Sequence, residues 1–161
     1  RNTAKTPVWI IGTGEATSYV ENNSDITVSA AAQSGPPAFA QAGVSPADID
    51  IAMIYDSFTI TVAVCLEDLG FCDKGGAGEF VANGRLAFDN TETKVALNTD
   101  GGGLSSNHPG MRGIFLLLEA TRQLRGESSS QVADASLAVA HGNGGQLGSV
   151  HTGSTVILAR D

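Results

Sequence analysis

The segment Asn98-Thr-Asp-Gly-Gly-Gly-Leu-Ser-Ser-Asn-His108-Pro-Gly-Met-Arg-Gly113 runs directly into the apolar stretch Ile114 to Leu118. Three consecutive glycines lose much backbone entropy on folding, so some close approach must require them. Pro109 suits the first turn of a helix, where its missing N–H costs nothing. His108 then stands at a helix entrance, where free N–H groups and the positive dipole end favour developing negative charge. An imidazole there can polarise a thiol or donate to an oxyanion near neutral pH, which makes His108 the first catalytic candidate. Two other segments carry chemistry. The phenol of Tyr55, in Tyr55-Asp-Ser-Phe58, is either a donor into a cleft or a strand-end aromatic packed at a sheet edge. His141, in His141-Gly-Asn-Gly-Gly145, is either a proton carrier or the start of a tight glycine connection, and both readings stand.

Several familiar chemistries are excluded. The glycine triplet lacks the lysine of a phosphate-binding loop and the G-x-G-x-x-G spacing of a dinucleotide fold. Ser57 lies in no G-x-S-x-G elbow, and a serine at a helix start is usually a cap. Three scattered histidines and two cysteines have no zinc spacing, so no metal is expected. Cys65 falls on an apolar helical stripe and Cys72 after that helix, in no context that lowers a thiol pKa.

These segments need positioning elements. Val8 to Ile11 reads as a buried strand ending in a turn at Gly12-Thr-Gly14. Residues 18–26 read as a polar loop. Ala30 to Ala42 has helical character, interrupted or restarted at Gly35-Pro36-Pro37. Ser45 to Asp48 reads as a turn or short helical entry. Ile49 to Tyr55 is a strand covered on both faces, and Asp56 a helix cap. Phe58, Val62, Cys65, Leu66 and Leu69 then recur at helical spacing up to Gly70. Residues 73–95 form a loop with a helical piece near Glu79 to Val81, and Val95 to Leu97 a brief strand. A helix from about Pro109 to Leu124 turns Ile114, Leu117, Leu118 and Leu124 inward, with Arg112, Arg122 and Arg125 outward. Ser136 to Ala140 and Ser154 to Leu158 are strands, expected to pair antiparallel, with glycine-rich residues 141–153 between them. The order is α/β, and all three chemical segments fall at the carboxyl ends of strands, where functional loops gather.

With 161 residues, 42% hydrophobic, the chain can bury one core, so a single domain over 1–161 is expected. A net charge of −8 with only nine Lys and Arg, none clustered, excludes nucleic acid and disfavours anionic membranes. A charged content of 16% suggests faces that meet other protein. The cysteine usage fits a reducing cytoplasm, and no signal peptide or apolar run of ~18 residues is present. Arg1 in place of Met suggests a fragment or processed piece.

Three ordered motifs resemble the C-terminal half of the thiolase superfamily, specifically its lipid-transfer or sterol-carrier type, over nearly the whole chain. Asn98-x-x-Gly-Gly…Asn107-His108-Pro109 is similar to the family's N-x-x-G-G-x-x-x-x-G-H-P block. Tyr55-Asp56-Ser57-Phe58 occupies the place of N-E-A-F or H-D-C-F, and His141-Gly142-Asn143-Gly144 that of C-x-G. The resemblance implies an α/β, thiolase-like layered fold with a mixed sheet flanked by helices, packed on an N-terminal half that carries a nucleophilic cysteine. It gives His108 the activating and oxyanion role, and makes Asn98, Gly102, Gly103, Ser57 and Asn143 substrate-binding candidates. Ser57 and His141 stand where the family places its proton-shuttling thiol, Tyr55 replaces the usual Asn or His, and Asn107 replaces glycine. A serine hydroxyl is too weakly acidic to take over from a thiolate, which leaves His141 or Tyr55 to carry the proton. The implied activity is thiolase-like acyl transfer, or carbon–carbon cleavage, on coenzyme A thioesters of lipids or sterols. A retro-aldol lyase of the steroid side-chain aldolase type and a non-catalytic acyl-CoA-binding or partner subunit are the alternatives. Coenzyme A enters as substrate, with no covalently bound cofactor, and a homodimer or hetero-oligomer is implied. The chain alone is expected to be inactive without the N-terminal half.

Overall fold

The run Ile51–Ile54 has every side chain shielded from solvent, and it forms one of the interior strands of a five-stranded mixed sheet. The computed structural model describes residues 5–19, 25–106, 110 and 112–161, so His108 and its neighbours Asn107 and Pro109 lie outside the described residues. The elements are β1 (Trp9–Tyr19), α1 (Ala31–Ala42), β2 (Ile51–Ile54), α2 (Thr59–Asp68), α3 (Ala77–Phe80), β3 (Ala96–Leu97), α4 (Arg112–Arg125), β4 (Leu137–Gly145) and β5 (Val150–Ala159). The spatial order is β1-β5-β4-β2-β3. β2 runs parallel to β3 and β4, while β5 pairs antiparallel with both β4 and β1. One apolar cluster, around Ala38, Phe39, Ile54, Cys65 and Leu66, joins α1 and α2 to one face of the sheet. A second, around Met53, Leu116, Ala120 and Leu124, seats α4 on the other face. The result is the expected layered α/β arrangement. No helix among the described residues is long and apolar enough to cross a membrane.

Several local expectations are overturned. Gly12-Thr-Gly14 is not a turn but part of β1. A Cβ on Gly12 or Gly14 would sit 2.2 Å from the Ala38 carbonyl oxygen or 2.1 Å from that of Ser34, so these glycines exist to let α1 lie directly on the strand. Trp9 and Ile10 are 53% and 63% exposed rather than buried, because β1 is the sheet's outer edge. α1 continues through Pro36 and Pro37. Each proline removes an intrahelical donor at a cost of about 3 kcal/mol, and burial of Ala31, Ser34, Gly35, Ala38 and Phe39 along one face offsets it. Ser45 to Asp48 is the expected short helical entry, closed by a capping box between Ser45 and Asp48.

The glycine-rich stretch after Ala140 is largely strand rather than a connection. β4 extends to Gly145 and β5 begins at Val150, leaving a tight hairpin. α4 turns Leu124 inward and Arg122 outward as expected, but departs from the expectation at Arg112, Ile114 and Leu118. Its buried stripe is Arg112, Leu116, Glu119, Ala120, Gln123 and Leu124, while Ile114 and Leu118 stay 49% and 53% exposed. The reversal has a polar cause. Glu119 Oε1 accepts hydrogen bonds from Thr99, Gln123 and Ser128, and the Gln123 amide meets Ser130 O and Val132 N, so inward polar residues fasten two loops to the helix.

Candidate active site

The carboxyl ends of β2, β3 and β4 are sewn together by side chains that the sequence had singled out. Asn98 follows β3 with φ 45°, and its side chain acts as one more rung of ladder. Its Oδ1 accepts from Ile54 N at 2.8 Å, and its Nδ2 donates to Ile54 O at 2.9 Å. Tyr55 N donates to His141 O at 2.9 Å, and Asn143 Nδ2 donates to Tyr55 O at 3.0 Å. Asp56 does not cap α2; that position belongs to Phe58, which makes no side-chain cap. Its carboxylate instead accepts Gly103 N at 2.8 Å and Leu104 N at 2.9 Å. The glycine triplet therefore has a definite cause. A Cβ on Gly102, which adopts φ 73°, would lie 2.2 Å from Asp56 Oδ2, and one on Gly103 would lie 3.0 Å from Oδ1.

A cleft of about 770 Å³ opens on the α4 side of this seam. Tyr55, Gly142, Gly144, Thr152, Ser154 and Thr17 line it from the sheet, and Gly110, Arg112 and Gly113 from the start of α4. Small residues on β4 and β5 leave the space. Tyr55 packs against the α4-side cluster, so its ring belongs to this face. Asn143 also borders the cleft. Asn98, Gly102 and Gly103 build the wall behind it rather than its described lining. Ser57 Oγ is turned to Thr61 Oγ1 at 3.3 Å.

His141 goes elsewhere. Its register partner Ile54 belongs to the α1-side cluster, and its Nδ1 lies 2.9 Å from Thr155 Oγ1, which in turn bonds Ser34 Oγ of α1 at 2.8 Å. The ring is fully shielded, Nε2 has no partner among the described residues, and burial, aided by the nearby charge of His151, pulls its pKa down to about 4. His141 is thus neutral at physiological pH and faces away from Tyr55 across the sheet. His151 is buried too, its Nδ1 accepting from Ala30 N at 3.0 Å near the start of α1. Cys65 is core, and burial pushes its thiol up to about 12. Burial also raises Cys72, reinforced by the charges of Glu67 and Asp73. Neither cysteine lines the cleft.

The residue that sequence reasoning missed is Arg112. It was assigned to solvent, yet it is 5% exposed and its Nη2 donates to Asp100 Oδ2 at 2.7 Å. Its Nε is buried with no partner among the described residues, and its guanidinium sits 5.9 Å above the Phe115 ring. Helical periodicity alone could not find it, because the signal is a pairing across the loop rather than a stripe.

Layered fold, sewn strand ends and cleft together define a thiolase-type C-terminal domain. The chain belongs to the thiolase C-terminal domain-like family, whose model matches residues 12–160. Over 100 residues it is 42% identical to the 17-hydroxy-3-oxo-4-pregnene-20-carboxyl-CoA lyase of Mycobacterium tuberculosis, covering 62% of this chain and 24% of that protein. It is 33% identical to the acetyl-CoA acetyltransferase of Methanothermobacter thermautotrophicus over 153 residues, 92% of this chain and 39% of that one. Among solved structures it matches the Ltp2-ChsH2(DUF35) aldolase with a TM-score of 0.83 and 31% identity, over 98% of this chain and 41% of the other. The chain therefore spans between about a quarter and two fifths of the length of these relatives.

Proposed function

We propose that this domain is the C-terminal half of a carbon–carbon lyase that cleaves β-hydroxyacyl thioesters of coenzyme A, lipid or steroid in origin, by a retro-aldol route. The observation that carries this reading is a cleft bordered by the Tyr55 ring but by neither cysteine, the only thiol on the helix behind it being locked in the core. Thiolase-type acyl transfer needs, besides the acyl-accepting cysteine of the N-terminal half, a thiol from this half to move the proton of the α carbon, whereas retro-aldol cleavage needs only an acid–base group and an oxyanion site. In the proposed reaction a base takes the proton of the β-hydroxyl and the bond between the α and β carbons breaks. Its electron pair flows into the thioester to give an enolate. The α carbon is then protonated, releasing a ketone or aldehyde and a shortened thioester. Tyr55 is assigned to the proton, and His108, two residues before the cleft's Gly110 in sequence, to the enolate oxygen.

The lyase and aldolase relatives support this assignment. The acetyltransferase relative supports the second reading, thiolase-like acyl transfer, in which the nucleophile comes from the N-terminal half. That half is also the proposed cover for Ile114, Phe115 and Leu118, which leave an apolar row of α4 between 41% and 53% exposed. Purified protein assembled with its N-terminal half, given a steroid β-hydroxyacyl-CoA, tests the choice. Tyr55→Phe is expected to abolish release of the carbonyl fragment while the thioester still binds. Full turnover by that variant refutes the lyase assignment, and an acyl-cysteine trapped from the substrate selects acyl transfer.

A further inference from the structure

Asp100 and Arg112 are separated by eleven residues, among them His108, and their side chains meet at 2.7 Å. The pair is poorly explained as a device for stability. A guanidinium has five donors, and this buried one finds no partner for Nε among the described residues, a deficit that costs free energy. What the pair does accomplish is geometric. Asp100 Oδ1 accepts Gly102 N at 2.9 Å while Oδ2 takes Arg112, so one carboxylate ties the glycine turn to the first residue of α4. The turn is fixed independently on its other side by Asp56 through Gly103 and Leu104. A Cβ on Gly103 would lie 3.5 Å from Arg112 Nε, in ordinary contact, so the guanidinium packs directly against the turn. Phe115 supports it from the next turn of helix.

We propose that Asp100–Arg112 is a clasp that sets the width of the cleft mouth, with Arg112 a positioning residue that acts through the glycine turn it ties to α4 rather than on substrate. The proposal rests on the reading of this cleft as the catalytic one. The described residues on either side of His108 in sequence are thereby referred to a single rigid point. Asp100→Asn keeps the Oδ1 acceptor for Gly102 while losing the charge, and Arg112→Lys keeps the charge while losing the planar fork.

The test uses the protein with its N-terminal half present and reads hydrogen exchange and steady-state kinetics on the parent, both single variants and the double variant. Amides of residues 101–106 are expected to exchange roughly tenfold faster in each variant, with the thermal midpoint little changed. In the same proteins kcat falls on the order of 10- to 100-fold and KM changes far less, as a displaced catalytic loop requires. The double variant should be no worse than the poorer single one, because both remove one clasp. Unchanged exchange across 101–106 overturns the proposal. So do additive losses, or a loss confined to KM, since either places Arg112 on the substrate. A parent that turns over no thioester refutes the functional reading instead, and exchange alone then decides the clasp.

Discussion

Replacing Asp56 by alanine removes the single acceptor for two backbone donors, Gly103 N and Leu104 N, at a site only 6% exposed. Water cannot easily replace it there, and both N–H groups are left facing the space the carboxylate filled. A hydrogen bond to a charged acceptor contributes about 1.5–3 kcal/mol, so the loss should be about 3–6 kcal/mol. For a domain of this size that corresponds to a fall in thermal midpoint of roughly 2–4 °C per kcal/mol. Asp56→Asn keeps one acceptor oxygen and presents an amide to the second N–H, which predicts an intermediate loss of about 2 kcal/mol. Urea titration of the three proteins, with the slope checked for constancy, measures the series. A midpoint for the alanine variant within about 0.5 kcal/mol of the parent, or asparagine as damaging as alanine, would refute the claim that this carboxylate holds the glycine turn.

The depressed pKa of His141 predicts a pH dependence whose sign is fixed. The unfolded ring binds a proton near 6.5 and the folded ring only near 4. Stability is therefore complete above about pH 6.5 and falls as pH drops toward 4, by roughly 3 kcal/mol if the ring titrates alone. His151, also lowered by burial, adds to the slope in the same direction. Urea midpoints of His141→Gln should flatten across that window; an unchanged slope would show that the ring is not the sensor. Gly14→Ala drives a Cβ against the Ser34 carbonyl and should cost 3 kcal/mol or more, at the upper end for point substitutions. Gly78→Ala, in α3 with open space around it, should be neutral or stabilising by up to about 1 kcal/mol. Equal effects at the two glycines would contradict the close seat of α1 on β1. Leu118→Glu should leave the domain's own melting unchanged yet weaken its association with the N-terminal half at least tenfold in a sedimentation or titration experiment, an effect of about 1.4 kcal/mol. Unchanged association would remove α4's apolar row from that interface.

What the sequence conveyed was the order of elements and the end of the sheet at which chemistry gathers. Continuous apolar runs such as Ile51 to Ile54 and helix terminators such as Gly70 are local signals, and they are legible locally. The errors share one origin, because each involves a partner distant in sequence. Gly12 and Gly14 look like a turn until Ser34 and Ala38 are laid against them. Asp56 looks like a cap until the glycine triplet folds over it, and Arg112 looks solvated until Asp100 reaches it. His141 looks like a cleft residue because glycines follow it, whereas strand alternation commits its ring to the α1 face. Of the candidate site, the sewing residues Asn98, Asn143 and Asp56 with Gly102 and Gly103 lie where the three loops meet. Their hydrogen-bond partners could not be inferred from spacing.

The pairing of β1 with β5 has a consequence for synthesis. Gly14 is matched with Thr155, and Trp9 with Ala159, so β1 finds its neighbour only after more than a hundred further residues have been made. At 5–20 residues per second the nascent β1, with its bare edge and outward Trp9 and Ile10, waits on the order of 10 s for that neighbour. Holdase chaperones on the ribosome therefore have a predictable client window, which closes only when β5 emerges.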